Sequence, residues 1–207
     1  MDIDVKKLSK QQYMSYFKIW FIILGIVVVV AAVLFVGSFL KPVSESTREN
    51  TDSPSERVYD NADVLSKAEE KKLEKLIEET ENRIKCDIIL VTISQPVENL
   101  DEDQMERYGY RYNDWEMNMR DLADDFYDYN EFGYDEVGDD GDGVLLLDNW
   151  YSGQMGSWIS TSGKVFEEFG DYEINRVLDA VDAGLATSAY AGYVAYVKKV
   201  EQLMSGG

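Results

Sequence analysis

Hydrophobic periods alternate along this chain between helical and extended spacing, and that order predicts an α/β protein. The expected fold is a three-layer α/β/α sandwich, with helices on both faces of a small mixed sheet. Two observations carry the expectation. Asp87-Ile88-Ile89-Leu90-Val91-Thr92-Ile93-Ser94 is β-branched and nearly continuous in its apolar character, as a strand buried on both faces requires. Segments with apolar residues at helical spacing and charges between them flank it on both sides. A third observation sets the domain apart from what precedes it: Ile19 to Leu40 is a run of 22 residues without a charge. As a helix it would be about 33 Å long, enough to cross the hydrocarbon core of a bilayer.

That run is expected to be an uncleaved transmembrane helix, because it is longer than a signal-peptide core and Phe39-Leu40-Lys41-Pro42 offers no small-residue cleavage site. Lys6, Lys7, Lys10 and Lys18 precede it, whereas Lys41 and Arg48 follow among Glu45, Glu49, Asp52 and Glu56. The Lys/Arg bias places the N-terminus in the cytoplasm. The organisation read from the sequence is a cytoplasmic N-terminus (1–18), a membrane helix (19–40), a flexible linker (41–56) and an extracytoplasmic domain (57–205). The localisation that follows is the cell membrane, crossed once.

Within the domain, Ser66-Lys67-Ala68-Glu69 has the form of a capping box, and Leu73, Leu76, Ile77, Thr80 and Ile84 continue it as a helix over 66–84. Pro96 ends the strand that follows. Leu100, Met105, Tyr108, Tyr112 and Trp115 outline a second helix, which Leu122, Phe126 and Tyr129 continue or restart before Gly133. Gly143–Asp148 and Ser157–Thr161 read as strands around a turn at Ser152-Gly153. Tyr172 to Leu185 and Tyr190 to Leu203 read as two closing helices. The tyrosines at 190–196 are read as core and rim packing.

Forty acidic residues against twenty basic ones leave a net charge of −20, which argues against a surface built for nucleic acid. With 45% hydrophobic and 13% aromatic residues, the acidity decorates a folded domain. Residues 101–142 concentrate it, with sixteen Asp and Glu against Arg107, Arg111 and Arg120. The chain has no histidine, so every Ser-His-Asp, Cys-His or zinc-His chemistry is excluded by inventory. The lone Cys86, at a strand start, is expected to fill a small buried position.

Asp139-Asp140-Gly141-Asp142-Gly143 runs straight into Val144-Leu145-Leu146-Leu147. Three carboxylates and two glycines at the mouth of a buried strand are hard oxygen donors on a backbone free to turn, the materials of a Ca²⁺ loop. Two such carboxylates about 6 Å apart would repel by roughly 3 kcal/mol at an effective dielectric near 20. The loop is therefore either cation-bound or a solvated acidic turn. An EF-hand does not fit: with Asp142-Gly143 at positions five and six, Gly138 and Asn149 would fall where carboxylates are needed. Asp124 and Asp125 are further acidic candidates from local chemistry.

Three blocks resemble the TPM domain, a family that includes a thylakoid-lumen protein and many bacterial membrane-anchored proteins. They are Val58-Tyr59-Asp60-Asn61-Ala62-Asp63-Val64-Leu65-Ser66, then Asp142-Gly143-Val144-Leu145-Leu146-Leu147, then Trp158-Ile159-Ser160-Thr161-Ser162-Gly163. Gly170-Asp171-Tyr172 resembles the opening of the family's closing helices. The resemblance covers residues 57–205. It implies an α/β/α sandwich whose loops bind divalent cations, Ca²⁺ in several relatives, and an acid phosphatase activity in the plant branch. Asp60, Asp63, Asp140 and Asp142 fall within matching blocks, with Asp139 adjoining, and the resemblance puts the loop at a strand edge near Asp60 and Asp63. Cys86 stands where the family usually has glycine.

The function expected is a membrane-anchored accessory module that binds Ca²⁺ and docks on membrane or envelope proteins. The alternatives are a metal-dependent phosphohydrolase, for which the acidic region offers few bases, and a structural ectodomain kept soluble by its charge.

Overall fold

The computed structural model describes residues 48–97, 115–138 and 141–206, all within the unit Ser46–Gly207. Among them no helix is long and apolar enough to cross a membrane. The run 19–40, Asp139, Asp140 and the expected helical stretch from Leu100 to Asp114 lie outside the described residues.

The elements in chain order are β1 (Val58–Asp60), α1 (Lys67–Ile84), β2 (Asp87–Ile93), α2 (Trp115–Tyr129), β3 (Gly143–Asn149), β4 (Gly156–Ser162), α3 (Gly163–Glu168), α4 (Asp171–Leu185) and α5 (Ala189–Met204). The sheet order is β1-β2-β3-β4, with the first three strands parallel and β4 antiparallel to β3. The mixed sheet is as expected. β1 and α3 escaped the sequence reading, being three and six residues long, too short for a period to show.

All seven residues of β2 and of β3 are buried, because each strand lies inside the sheet and is covered on both faces. Ile88, Leu90, Val144 and Leu146 face one layer, where they meet Leu73 and Ile77 of α1, Val177 and Val181 of α4, and Val197 and Val200 of α5. Ile89, Val91, Leu145 and Leu147 face the other, where Met119, Ala123 and Tyr127 of α2 cover them. The β1–α1–β2 and β2–α2–β3 connections step across the sheet in one direction yet place their helices on opposite faces. One of the two crossovers is therefore left-handed, against the usual rule for parallel strands.

The local signals behave as their chemistry dictates. Ser66 caps α1: the Glu69 N–H donates to its hydroxyl oxygen, and Glu69 Oε2 accepts from the Ser66 N–H at 2.9 Å. Cys86 is fully buried, its thiol pushed well up by burial, as a structural cysteine should be. Tyr193 and Tyr196 are buried as core, and each hydroxyl has found a partner: Tyr196 donates toward the carbonyls of Ile89 and Val144.

Residues 48–57, most of them read as the end of a spacer, are tied to the domain. The Asn50 amide donates to the carbonyls of Glu131 and Gly133, both at 2.9 Å. Arg48 pairs with Glu81 and Asp87, and Arg57 pairs with Glu81 at 2.7 Å and Asp87 at 3.4 Å. Arg57 also lies over the Phe132 ring and Arg48 over the Tyr134 ring. This buried ion cluster closes the N-terminal end of β2.

Candidate functional site

The parallel strands have two ends, and the sequence-predicted carboxylates divide between them. At the carboxyl end, Asp60, Thr92, Asp148 and Ser157 stand in register across all four strands. Asp60 is spent on its own turn: it accepts the N–H groups of Val64 and Leu65 at 3.2 and 2.8 Å and the Thr92 hydroxyl. Asp63 is exposed with φ 54, the left-handed conformation that closes this turn. Asp148 accepts from Tyr193 at 2.7 Å, Ser157 at 2.8 Å and Trp150 at 2.9 Å. Burial pushes its carboxyl upward, and these three donors oppose that. Asp148 and Tyr193 were missed as functional candidates; an acid closing the otherwise apolar strand Val144–Leu147 was the available signal.

Asp142 belongs to the other end. It precedes β3, and six residues at about 3.3 Å each separate it from Asp148, the residue level with Asp60. Asp142 and Asp60 are thus about 20 Å apart. The expectation that the acidic loop lies near Asp60 and Asp63 is corrected: a parallel sheet puts the end of β1 and the beginning of β3 on opposite rims.

Asp142 instead organises a cleft between α2, β4 and α3. Its Oδ1 accepts the Lys164 N–H at 2.7 Å, so it caps the first turn of α3, and the Lys164 ammonium lies 2.9 Å away. Its own N–H donates to Asp135 at 2.8 Å. Two glycines allow this approach. A Cβ at Gly143 would collide with the Tyr127 hydroxyl, which donates to the Gly141 carbonyl, and one at Gly163, where φ is +55°, would collide with Asp142.

The cleft has a volume of about 760 Å³ and is bordered by Asp124, Asp128, Asp142 and Glu167, by the hydroxyls of Ser160, Thr161 and Ser162, and by Phe166. Among the described residues Lys164 is the one base on its lining, and that side chain is also held by the carbonyls of Ile84 and Lys85. Asp124 accepts the Ser160 hydroxyl at 2.6 Å; burial raises its pKa, that hydrogen bond and the charge of Arg120 oppose the rise, and Asp121 and Asp125 add to it. Asp125 is half-buried on α2 and does not line the cleft. Of the seven acidic candidates the structure therefore brings together Asp124 and Asp142, and sets Asp60, Asp63 and Asp125 elsewhere. Among the described residues no three carboxylates converge as a metal-ligand group.

A helix-flanked mixed sheet with a left-handed step and an acidic cleft beside its antiparallel edge strand describes a class of α/β domain. The family follows from the match of the TPM domain to residues 58–203, 146 of the 207 residues: the chain belongs to the TPM domain family. It is similar to the solution structure of the N-terminal domain of a P. gingivalis protein, at 18% identity and a TM-score of 0.49, covering 73% of this chain and 84% of that one. It is also similar to the N-terminal domain of a Corynebacterium glutamicum protein, at 14% identity and a TM-score of 0.47, covering 79% and 88%. No curated protein matches it.

Proposed function

We propose that this protein is a membrane-anchored TPM domain that binds a divalent cation, Ca²⁺ foremost, and serves on the extracytoplasmic side as an interaction module for membrane or envelope proteins. The observation that carries the reading is the cleft at Asp142. Among the described residues four carboxylates border it against one lysine, and that lysine is already engaged. Asp139 and Asp140 directly precede Gly141-Asp142 in the chain, so the acidic loop ends at this cleft. Hard oxygen donors without competing nitrogen ligands suit Ca²⁺, and a weak extracellular-type site would be filled at millimolar concentration. The uncharged run 19–40 and the lysines before it support the anchor and its orientation.

Phosphoryl transfer is the rival chemistry, and it asks for a cation that converges on the transferred group. The base at this cleft is instead bonded to Asp142 and to two backbone carbonyls, which favours binding over turnover.

Calorimetric titration of the detergent-solubilised full chain with Ca²⁺ tests the proposal. Saturable heat, reduced in Asp124→Asn and Asp142→Asn proteins, is expected; no heat and no thermal shift at several millimolar would remove the cation. Protease added to intact cells should cleave the domain, and full protection would reverse the orientation. A phosphate-ester turnover that survives purification and disappears in Asp142→Asn protein would put the hydrolase first.

A further inference from the structure

The parallel strands give the domain two unlike rims. At the amino-end rim, Asp87 and Gly143 begin β2 and β3 side by side, and Ser162 ends β4 next to them. α1 ends there at Ile84 and α2 at Tyr129, because each leads into the next parallel strand. The loop after α2 stays at this rim: the Tyr134 N–H donates to the Asp142 carbonyl at 3.1 Å, and the Gly138 carbonyl accepts the Ser162 hydroxyl at 3.3 Å. α5 runs toward the same rim, since Tyr193 near its start meets Asp148 at the carboxyl end and Glu201 near its finish pairs with Arg83. α4 is joined to α5 by residues 186–188 alone, so it starts at the amino-end rim with Asp171 and Tyr172.

Exposed apolar side chains gather on that rim. Tyr129 is 89% exposed, Phe166 and Tyr172 are 69% exposed and Val137 is 48% exposed. Phe166 is placed there by α3, which starts at Gly163 directly from the end of β4. The other two large apolar residues exposed among the described ones, Tyr151 and Met155, follow β3 at the carboxyl end. Val97 and Trp115, which bound residues 98–114, also lie at the carboxyl end.

The chain enters the domain at the amino-end rim. Arg48 donates to Asp87 at 2.9 Å, and Asn50 holds the carbonyls of Glu131 and Gly133. Eight chain steps separate Arg48 from Leu40, the last residue of the uncharged run, a reach of at most about 28 Å. The carboxyl end of the sheet lies about 20 Å beyond, the length of β2. A bilayer crossed by residues 19–40 is therefore nearest the rim that carries the exposed aromatic rings.

We propose that the amino-end rim rests on the membrane that holds the anchor, with Tyr129, Val137, Phe166 and Tyr172 in the headgroup region. Tyrosine and phenylalanine suit that layer, where an apolar ring can be buried while a hydroxyl stays wet. Charge selects the lipid. Glu131, Glu136, Glu167, Glu168 and Asp171 are exposed around these side chains, against Arg83 and Lys85, so the surface fits zwitterionic phospholipid and is opposed by anionic lipid. The inference rests on the reading of residues 19–40 as a membrane helix and is independent of the cation.

The test places the full chain in phosphatidylcholine vesicles with chelator present. Single cysteines in a Cys86→Ala background carry a fluorophore at the rim (Glu136→Cys, Asp171→Cys), at the carboxyl end (Ser152→Cys, Thr187→Cys) or within the uncharged run (Val29→Cys). Lipid bearing a nitroxide on its headgroup should quench the rim probes at least threefold more than the carboxyl-end probes. Phe166→Ser with Tyr172→Ser should at least halve the quenching at residue 136 while the circular dichroism is unchanged, and replacing half of the lipid by phosphatidylglycerol should reduce it. Equal quenching at both ends, indifference to the Phe166 and Tyr172 substitutions, or stronger quenching with phosphatidylglycerol would overturn the proposal. So would rim probes shielded from iodide but not quenched by lipid, which would put a protein there instead. Acyl-chain nitroxide should quench the probe at residue 29. If it does while the rim probes stay dark to lipid, the lipid surface alone fails; if it does not, the anchor fails and the proposal with it.

Discussion

Asp60 and Asp142 occupy opposite rims of one parallel sheet, about 20 Å apart, although both stand in the blocks that mark the family. Each does local work: Asp60 holds the turn into α1, and Asp142 caps α3. One divalent ion cannot bridge them, and the two positions should respond differently to substitution.

Asp142→Asn and Asp124→Asn should each weaken Ca²⁺ binding by about tenfold or more, the scale on which site residues act. Asp60→Ala should leave the affinity within about twofold and lower stability by about 1–3 kcal/mol, because its acceptor oxygens are lost to the turn. Calorimetry and thermal melts on the same three proteins separate these outcomes. Equal loss of affinity at Asp60 would place the ion at the carboxyl end.

Arg57 is 5% exposed and lies between Glu81 and Asp87, which are themselves nearly or fully buried. Arg57→Met leaves buried negative charge with fewer partners and should cost about 3–5 kcal/mol in urea unfolding. Arg48 is 23% exposed and shares the same carboxylates, so Arg48→Met should cost less, about 1 kcal/mol. Equal costs would show that the cluster is not organised around Arg57.

Burial pushes Glu81 up to about 7, with Arg57 pulling against it and Asp87 adding to it. The folded state then holds a proton that the unfolded chain, with its ordinary carboxylate, has released. Stability should fall as pH rises from the usual carboxylate range through about 7, with a slope approaching about 1.4 kcal/mol per unit for this one group. Melts at pH 5, 6, 7 and 8 should show the decline, and Glu81→Gln should flatten it. An unchanged slope in that variant would assign the pH dependence to other groups.

Tyr193 donates to Asp148 at 2.7 Å in a buried setting. Tyr193→Phe should cost about 1–2 kcal/mol, since Trp150 and Ser157 still donate to the carboxylate. A shift in the Trp150 emission should accompany it, because its indole N–H also donates to the Tyr193 oxygen. Unchanged stability would mean that water replaces the hydroxyl.

The sequence by itself determined the α/β class, both buried strands, α1 with its cap, the closing helices and the structural role of Cys86. Each of these is written in neighbours a few residues apart: a β-branched run, a Ser-x-x-Glu box, apolar residues at helical spacing. It also singled out Asp124 and Asp142 as acids of interest. Tertiary structure alone decided which acids share a cleft, because that depends on strand order and direction across more than eighty residues of chain between Asp60 and Asp142. It decided too that Arg48 and Asn50 belong to the domain, that Arg57 is buried between Glu81 and Asp87, and that Asp148 and Tyr193 meet. Those are contacts between distant segments, formed when apolar faces close over the sheet, and no local period records them.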